Sequence, residues 1–199
     1  MSSVQKTNSR TLQAEQTRNR VYQSAIEEYQ RAGIDQAQIE SIVKRAGVSV
    51  GTFYRYFPSR SDILFERRRR NSLAAIQRFQ MHPTRARTLK SLLHRWLDAV
   101  VVEVSDADFA LDRQVLTLMT ADPERQMHWL SQTVVEEIAE KIQTGQNNDL
   151  YRSDFPAIDL AKSFNSSFFG FLCHNSNDTE QLKKQLSLHI ELFIAGISV

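Results

Sequence analysis

The chain has 199 residues, of which 41% are hydrophobic, with six Gly, four Pro and one Cys, enough to bury a sizeable core and few enough breakers for long helices. The formal net charge of +2 conceals an asymmetry: residues 1–70 hold 13 Lys/Arg against 7 Asp/Glu, and the rest hold 12 against 16, so a polyanionic partner is expected at the first end only. One cysteine excludes an internal disulfide or C-x-x-C metal framework, MSSVQKTNSR lacks the apolar core of a secretory signal, and no stretch approaches eighteen apolar residues, which together point to the cytoplasm with no membrane partner.

Residues 1–14 are polar and carry Lys6 and Arg10; they read as a flexible basic arm. A first helix is predicted from Glu15 or Thr17 to Ala32, ending before Gly33, with Val21, Ala25, Tyr29 and Ala32 as its inward stripe. Thr17 stands as a cap or a phosphate contact. Arg18 and Arg20 oppose the dipole in the first turns of such a helix, which a nearby phosphate would explain. A second helix follows from about Gln36 to Lys44 or Arg45, with Ile39, Ile42, Val43 and Ala46 inward and Asp35 as a candidate cap.

Between Ala46 and Leu64 the chain reads AGVSVGTFYRYFPSRSDIL. Gly47 can take the positive φ that ends a helix, and Ser49 can cap the next one, Val50 to Tyr56. A helix, a short turn and a second helix make a helix-turn-helix. Phe53 and Phe57 lie four apart and share an inward face, leaving Thr52, Tyr54, Arg55 and Tyr56 on the outer sides. Gly51 is costly within a helix unless something approaches its backbone closely. Ser59 and Asp62 resemble a capping box that starts a fourth helix reaching Gln80. In that helix the run Glu66-Arg67-Arg68-Arg69-Arg70 goes around most of a turn, so at least one arginine must snorkel or meet an anion.

The stretches TRNRVYQSAIEEYQRAG (Thr17 to Gly33), IESIVKRAGVSVGTFYRYF (Ile39 to Phe57) and PSRSDIL (Pro58 to Leu64) resemble the TetR/AcrR family of one-component transcriptional regulators. The resemblance covers roughly residues 15 to 65, about a quarter of the chain. It implies an all-α fold of about nine helices: a helix-turn-helix DNA-binding domain at 15–62, and a larger helical effector-binding and dimerisation domain at 63–199. It places Ser49, Val50, Gly51, Thr52, Tyr54, Arg55, Tyr56 and Arg60 toward DNA, with Thr17, Arg18, Gln38 and Lys44 as flanking contacts. Thr52, Tyr56 and Arg60 are assigned mainly to phosphates, and Val50 and Arg55 to bases. Where the family has Thr-Ser at the start of its second helix this chain has Ala37-Gln38, and Arg60 stands where the family most often has Lys.

The body is helical in pattern. Leu89 to Val104, Ala107 to Thr120 and Pro123 to about Gly145 form three helices, and Ala157 to His174 and Thr179 to Gly196 form the last two. Leu160, Phe164, Phe171, Leu182, Leu186, Ile190 and Phe193 on that final pair are the candidate dimer interface, giving four helices from two subunits. A homodimer is also what a palindromic double-stranded operator requires, since one short helix reads too few base pairs. Trp96, Phe109, Met119, Met127, Trp129 and Phe168 are the candidate wall of a pocket for an apolar or aromatic small-molecule effector.

No G-x-S-x-G, P-loop, dinucleotide fingerprint or H-E-x-x-H occurs, so neither an enzyme, a cofactor nor a metal site is expected. Cys173 and His174 are adjacent and would point about 100° apart on a helix. The expected function is a dimeric, sequence-specific DNA-binding repressor released by a small molecule. The alternative is an architectural or activating DNA-binding protein with a solid body that recruits another protein.

Overall fold

The structure, a computed structural model, describes residues 2–81, 87–103, 111, 114, 115, 118, 132–174 and 178–199. Eight helices have both ends among the described residues: α1 (Ser2–Ala32), α2 (Ile39–Ala46), α3 (Val50–Tyr56), α4 (Arg60–Met81), α5 (Leu89–Val101), α6 (Gln132–Gln146), α7 (Ala157–His174) and α8 (Thr179–Ile197). They divide into two compact units, residues 1–67 and 68–199. The fold is all-α, with no sheet among the described residues beyond an isolated bridge between Tyr151 and Ser198.

The first unit is a small helical head. Val21, Tyr22, Ala25, Ile26 and Tyr29 of α1 are buried with Ile39, Ile42, Val43 and Ala46 of α2 and with Phe53 and Phe57. The α2–α3 turn is made by local forces. Gly47 sits at φ +65, its amide donates to Lys44 and the Val48 amide to Val43, which closes the carbonyl end of α2 as a Schellman motif. Ser49 Oγ then accepts from the Thr52 amide at 3.1 Å and starts α3. At the next junction Ser59 and Asp62 form the reciprocal pair expected of them: the Ser59 amide donates to Asp62 Oδ2 at 2.8 Å and the Asp62 amide to Ser59 Oγ at 3.3 Å.

Two helix starts differ from the sequence reading. The first helix begins at Ser2 rather than at Glu15 or Thr17, because residues 2–16 contain no Gly or Pro to stop it. Thr17 therefore caps nothing; its hydroxyl donates back to the Gln13 carbonyl at 2.8 Å. Asp35 does not cap the second helix either. The N-cap is Gln38, whose side chain makes no capping bond, and its amide donates to Glu28 Oε1 of α1 at 3.4 Å.

The second unit holds the larger core. Ala75 and Phe79 of α4, Leu89 to Val100 of α5, Val134 to Ile142 of α6, Ala157 to Phe168 of α7 and Leu182 to Ile197 of α8 supply its buried side chains. α5 opens on a capping box between Thr88 and Ser91. Leu111, Gln114, Val115 and Leu118 are helical, and Leu111 and Val115 are buried. The rest of the helix predicted at 107–120, and residues 123–131 of the one predicted from Pro123 to about Gly145, lie outside the described residues; the remainder of the latter is α6. The chain end is tied back as well: the Arg152 amide donates to the Ile197 carbonyl at 2.7 Å and the Val199 amide to Leu150 at 3.3 Å.

The run of arginines in α4 resolves as its crowding requires. Arg67 is buried, Arg68 lays its guanidinium 5.2 Å from the centre of the Phe169 ring, and Arg69 is exposed.

Candidate nucleic-acid interface

The outer face of α3 is built on its inner one. Phe53 and Phe57 are fully enclosed, 6.5 Å apart between ring centres, and Phe53 meets the edge of Tyr54 at 5.2 Å. With those rings inward, Ser49, Val50, Gly51, Tyr54 and Arg55 are exposed and Thr52 and Tyr56 half-buried. A Cβ built on Gly51 would meet only Ser49 Oγ, at 3.9 Å, so nothing in the free head demands a glycine there. The backbone at that point is open to whatever approaches from outside.

Polar groups on this face are partly pre-arranged. Arg55 stacks 5.0 Å over the Tyr56 ring and donates to its hydroxyl at 3.4 Å, which holds the guanidinium in a restricted set of positions. Ser49 and Thr52 share a hydroxyl–hydroxyl bond at 3.0 Å. Gln38 and Lys44 are exposed on α2 and its start, and Lys44 has no ion pair among the described residues.

Other predicted contacts are engaged inside the head. Arg18 is not a cation awaiting a phosphate: its guanidinium forks onto Glu66, Nη1 to Oε1 and Nη2 to Oε2, both at 2.9 Å. It also lies 4.9 Å over the Phe57 ring. The dipole puzzle at Arg18 disappears with the start of α1 at Ser2, since Arg18 is then far from the first turn. Arg60 donates from Nη1 to the carbonyls of Ile34 and Asp35 at 3.0 and 3.2 Å, tying the start of α4 to the α1–α2 loop. The Tyr29 hydroxyl donates to the Arg60 carbonyl at 3.3 Å, and burial pushes its phenol well above the usual range.

Sequence reasoning missed the residue that organises this corner. Glu28 is buried on α1 and receives Arg31 at 2.6 and 3.1 Å, the Gln38 amide, and Arg45 at 3.7 Å. The bonded Arg31 guanidinium holds its carboxyl below the usual range, against the upward push of burial. The i,i+3 spacing of Glu28 and Arg31 was a visible signal; the burial was not, because it depends on α2 folding over.

In the body, Trp96 and Phe168 are brought together, with ring centres 6.4 Å apart, and Phe79 meets Trp96 edge-on at 5.6 Å. The other pocket candidates, Phe109, Met119, Met127 and Trp129, lie outside the described residues. Four of the predicted dimer residues do not reach the surface. Phe164, Leu182, Leu186 and Ile190 have no exposure; Phe164 stacks on His189 at 5.3 Å and meets Phe193 at 4.9 Å within the same chain. Leu160, Phe171 and Phe193 are half-buried. The apolar positions of α8 that do face outward are Leu188 and Leu192, 58% and 63% exposed. No group of three or more His, Cys, Asp or Glu among the described residues could hold a metal, and none of the described helices is long and apolar enough to cross a membrane.

Residues 21–66, the stretch just described, match the family model for bacterial regulatory proteins of the tetR family. The chain is 44% identical over 45 residues to the HTH-type transcriptional regulator YvdT of Bacillus subtilis (strain 168), a match spanning 23% of each chain. Over nearly its whole length it is similar to solved structures. FadR of Thermus thermophilus, a TetR-family transcriptional repressor in complex with lauroyl-CoA, matches with a TM-score of 0.68 at 19% identity, covering 92% of this chain and 95% of that one. A protein of Saccharomonospora viridis in complex with choline matches with a TM-score of 0.61 at 24% identity, covering 87% and 95%. At these identities the structural likeness is one of fold.

Proposed function

Because this chain belongs to the tetR family of bacterial regulatory proteins, we propose that it is a homodimeric repressor whose two α3 helices read a palindromic operator and which a small molecule releases. The observation that carries the reading is the exposed face of α3, where Val50, Tyr54 and Arg55 stand outward on a base of two enclosed phenylalanines. Arg55 offers a fork suited to guanine and Val50 an apolar surface suited to a thymine methyl. Lys44, Thr52 and Tyr56 supply phosphate contacts that set register. Arg18 and Arg60, bonded within the head, act by positioning the helices that carry those contacts.

Operator duplexes recovered by selection from a random pool provide the test. Arg55→Ala is expected to weaken binding by about 1–3 kcal/mol and to relax preference at one base position. Lys44→Ala should weaken all sequences alike and reduce the salt slope by about one. Undiminished selectivity in Arg55→Ala would remove α3 as the reading helix.

For the dimer, the outward pair Leu188 and Leu192 replaces the enclosed residues as the centre of the contact. They lie four apart on one face of α8, and two exposed leucines there are the apolar patch that a second copy would cover. The double variant Leu188→Asp/Leu192→Asp is expected to sediment as a monomer with its helical content intact. A persistent dimer would place the contact elsewhere.

Release by an effector is supported by the ligand complexes named for relatives of the same fold, lauroyl-CoA in one and choline in another. α4 contributes residues to both units, so it is the covalent path along which a change in the body reaches the reading helix.

A further inference from the structure

Asn165 lies on α7, is 1% exposed, and neither its Oδ1 nor its Nδ2 has a hydrogen-bond partner; the same is true of the buried Nε1 of Trp96 on α5. The positions belong to one neighbourhood. Asn165 and Phe168 are three apart on α7 and share a face, and Phe168 packs against Trp96. An amide left without partners in a dry core forfeits its hydration with nothing in return, and Asn is rarely found fully buried. Leucine would fill the site at no such cost. Two donor atoms and an acceptor, enclosed on two helices that meet through Phe168 and Trp96, make sense if a partner is delivered from outside.

We propose that the body holds a polar recognition site at Asn165 and Trp96 for a neutral, carboxamide-type head group carried on an apolar ligand. The complementarity can be counted bond by bond. The ligand carbonyl has two lone pairs, one for Asn165 Nδ2–H and one for Trp96 Nε1–H, and the ligand N–H donates to Asn165 Oδ1. Phe168, Phe79 and Phe164 supply the apolar surroundings. A charged head is disfavoured, because Arg95, the neighbour of Trp96 on α5, already pairs with Glu137 at 3.2 Å and stacks 4.2 Å over Phe79, and an unpaired charge in this setting would be costly. This site rests on the effector reading above and names the chemistry that its ligand would present.

Thermal unfolding of the full chain tests it with three probes of similar shape: 3-phenylpropanamide, 3-phenylpropanoate and propylbenzene. The amide at ten times its Kd is expected to raise the melting temperature by about 3–6 °C, and the carboxylate and hydrocarbon much less. Asn165→Leu should abolish the amide shift while its own melting temperature is unchanged or higher. Trp96→Phe, which keeps the aromatic packing and loses only the donor, should reduce the shift. Equal shifts from amide and hydrocarbon, no shift from any probe, or an amide shift that survives Asn165→Leu would each overturn the site. A shift with the operator complex left intact keeps the site but removes its role as the seat of release, so the two readings fail separately.

Discussion

Phe53→Ala is expected to cost about 3–5 kcal/mol of stability and to abolish operator binding, although the ring touches no DNA in the proposed complex. α3 is only seven residues long, far too short to persist as an isolated helix, so its place in the head depends on what its inner face buries. Phe53 has no exposure, and it lies against Phe57 and the edge of Tyr54. Truncation would leave a cavity in the smaller of the two units, where little remains to close over it. Denaturant unfolding measured beside operator binding checks the claim. The loss of stability should equal or exceed the loss shown by any single exposed residue of α3, whereas Arg55→Ala should lose binding at unchanged stability. If Phe53→Ala binds the operator normally, α3 is not held by its inner face and the scaffold described here is wrong.

Arg18→Ala is expected to cost about 3 kcal/mol of stability, the lower end for breaking a buried ion pair, because Arg18 itself is about a third exposed. The asymmetry of the pair sets the sign of a second comparison. The Glu66 side chain is 4% exposed and that of Arg18 36%, so removing the arginine takes a two-pronged partner from a buried carboxylate, while removing the carboxylate leaves a cation that water reaches. Arg18→Ala should therefore be costlier than Glu66→Gln. Arg18→Lys should recover only part of the loss, since an ammonium cannot fork onto both oxygens and stack on Phe57 as a guanidinium does. Calorimetry of the three variants without DNA separates the roles. Unchanged melting in Arg18→Ala together with weaker operator binding would return Arg18 to the phosphate contacts.

The ion pair also shows where sequence reasoning stops. Arg18 and Glu66 are 48 residues apart, and each has closer opposite charges in the chain, so no local rule selects this pairing. Arg60 is similar: its partners are carbonyls 25 and 26 residues away, and a carbonyl leaves no mark in a sequence. The last helix was legible in its bounds but not in its rotation, for another reason. Leu182, Leu186, Leu188, Ile190 and Leu192 place apolar residues around more than half of α8, and a stripe that wide fits several rotations equally well. Only the packing of α5 and α7 against it decides that Leu186 is inside and Leu188 outside.

By itself the sequence determined what short-range forces govern. It determined the turn at Gly47, the caps at Ser49 and Ser59–Asp62, the inward pair Phe53 and Phe57, the bounds of α7 and the basic character of the head. Each rests on backbone geometry, a bond to a neighbour within a few residues or a simple count of charge, and none depends on distant chain. The tertiary structure decided which charges are neutralised, which leucines of α8 remain outside, and that Glu28 caps α2 from another helix. It also decided that Asn165 is enclosed without a partner. Those outcomes follow from burial, and burial is a property of the surfaces that meet rather than of the residues that carry them.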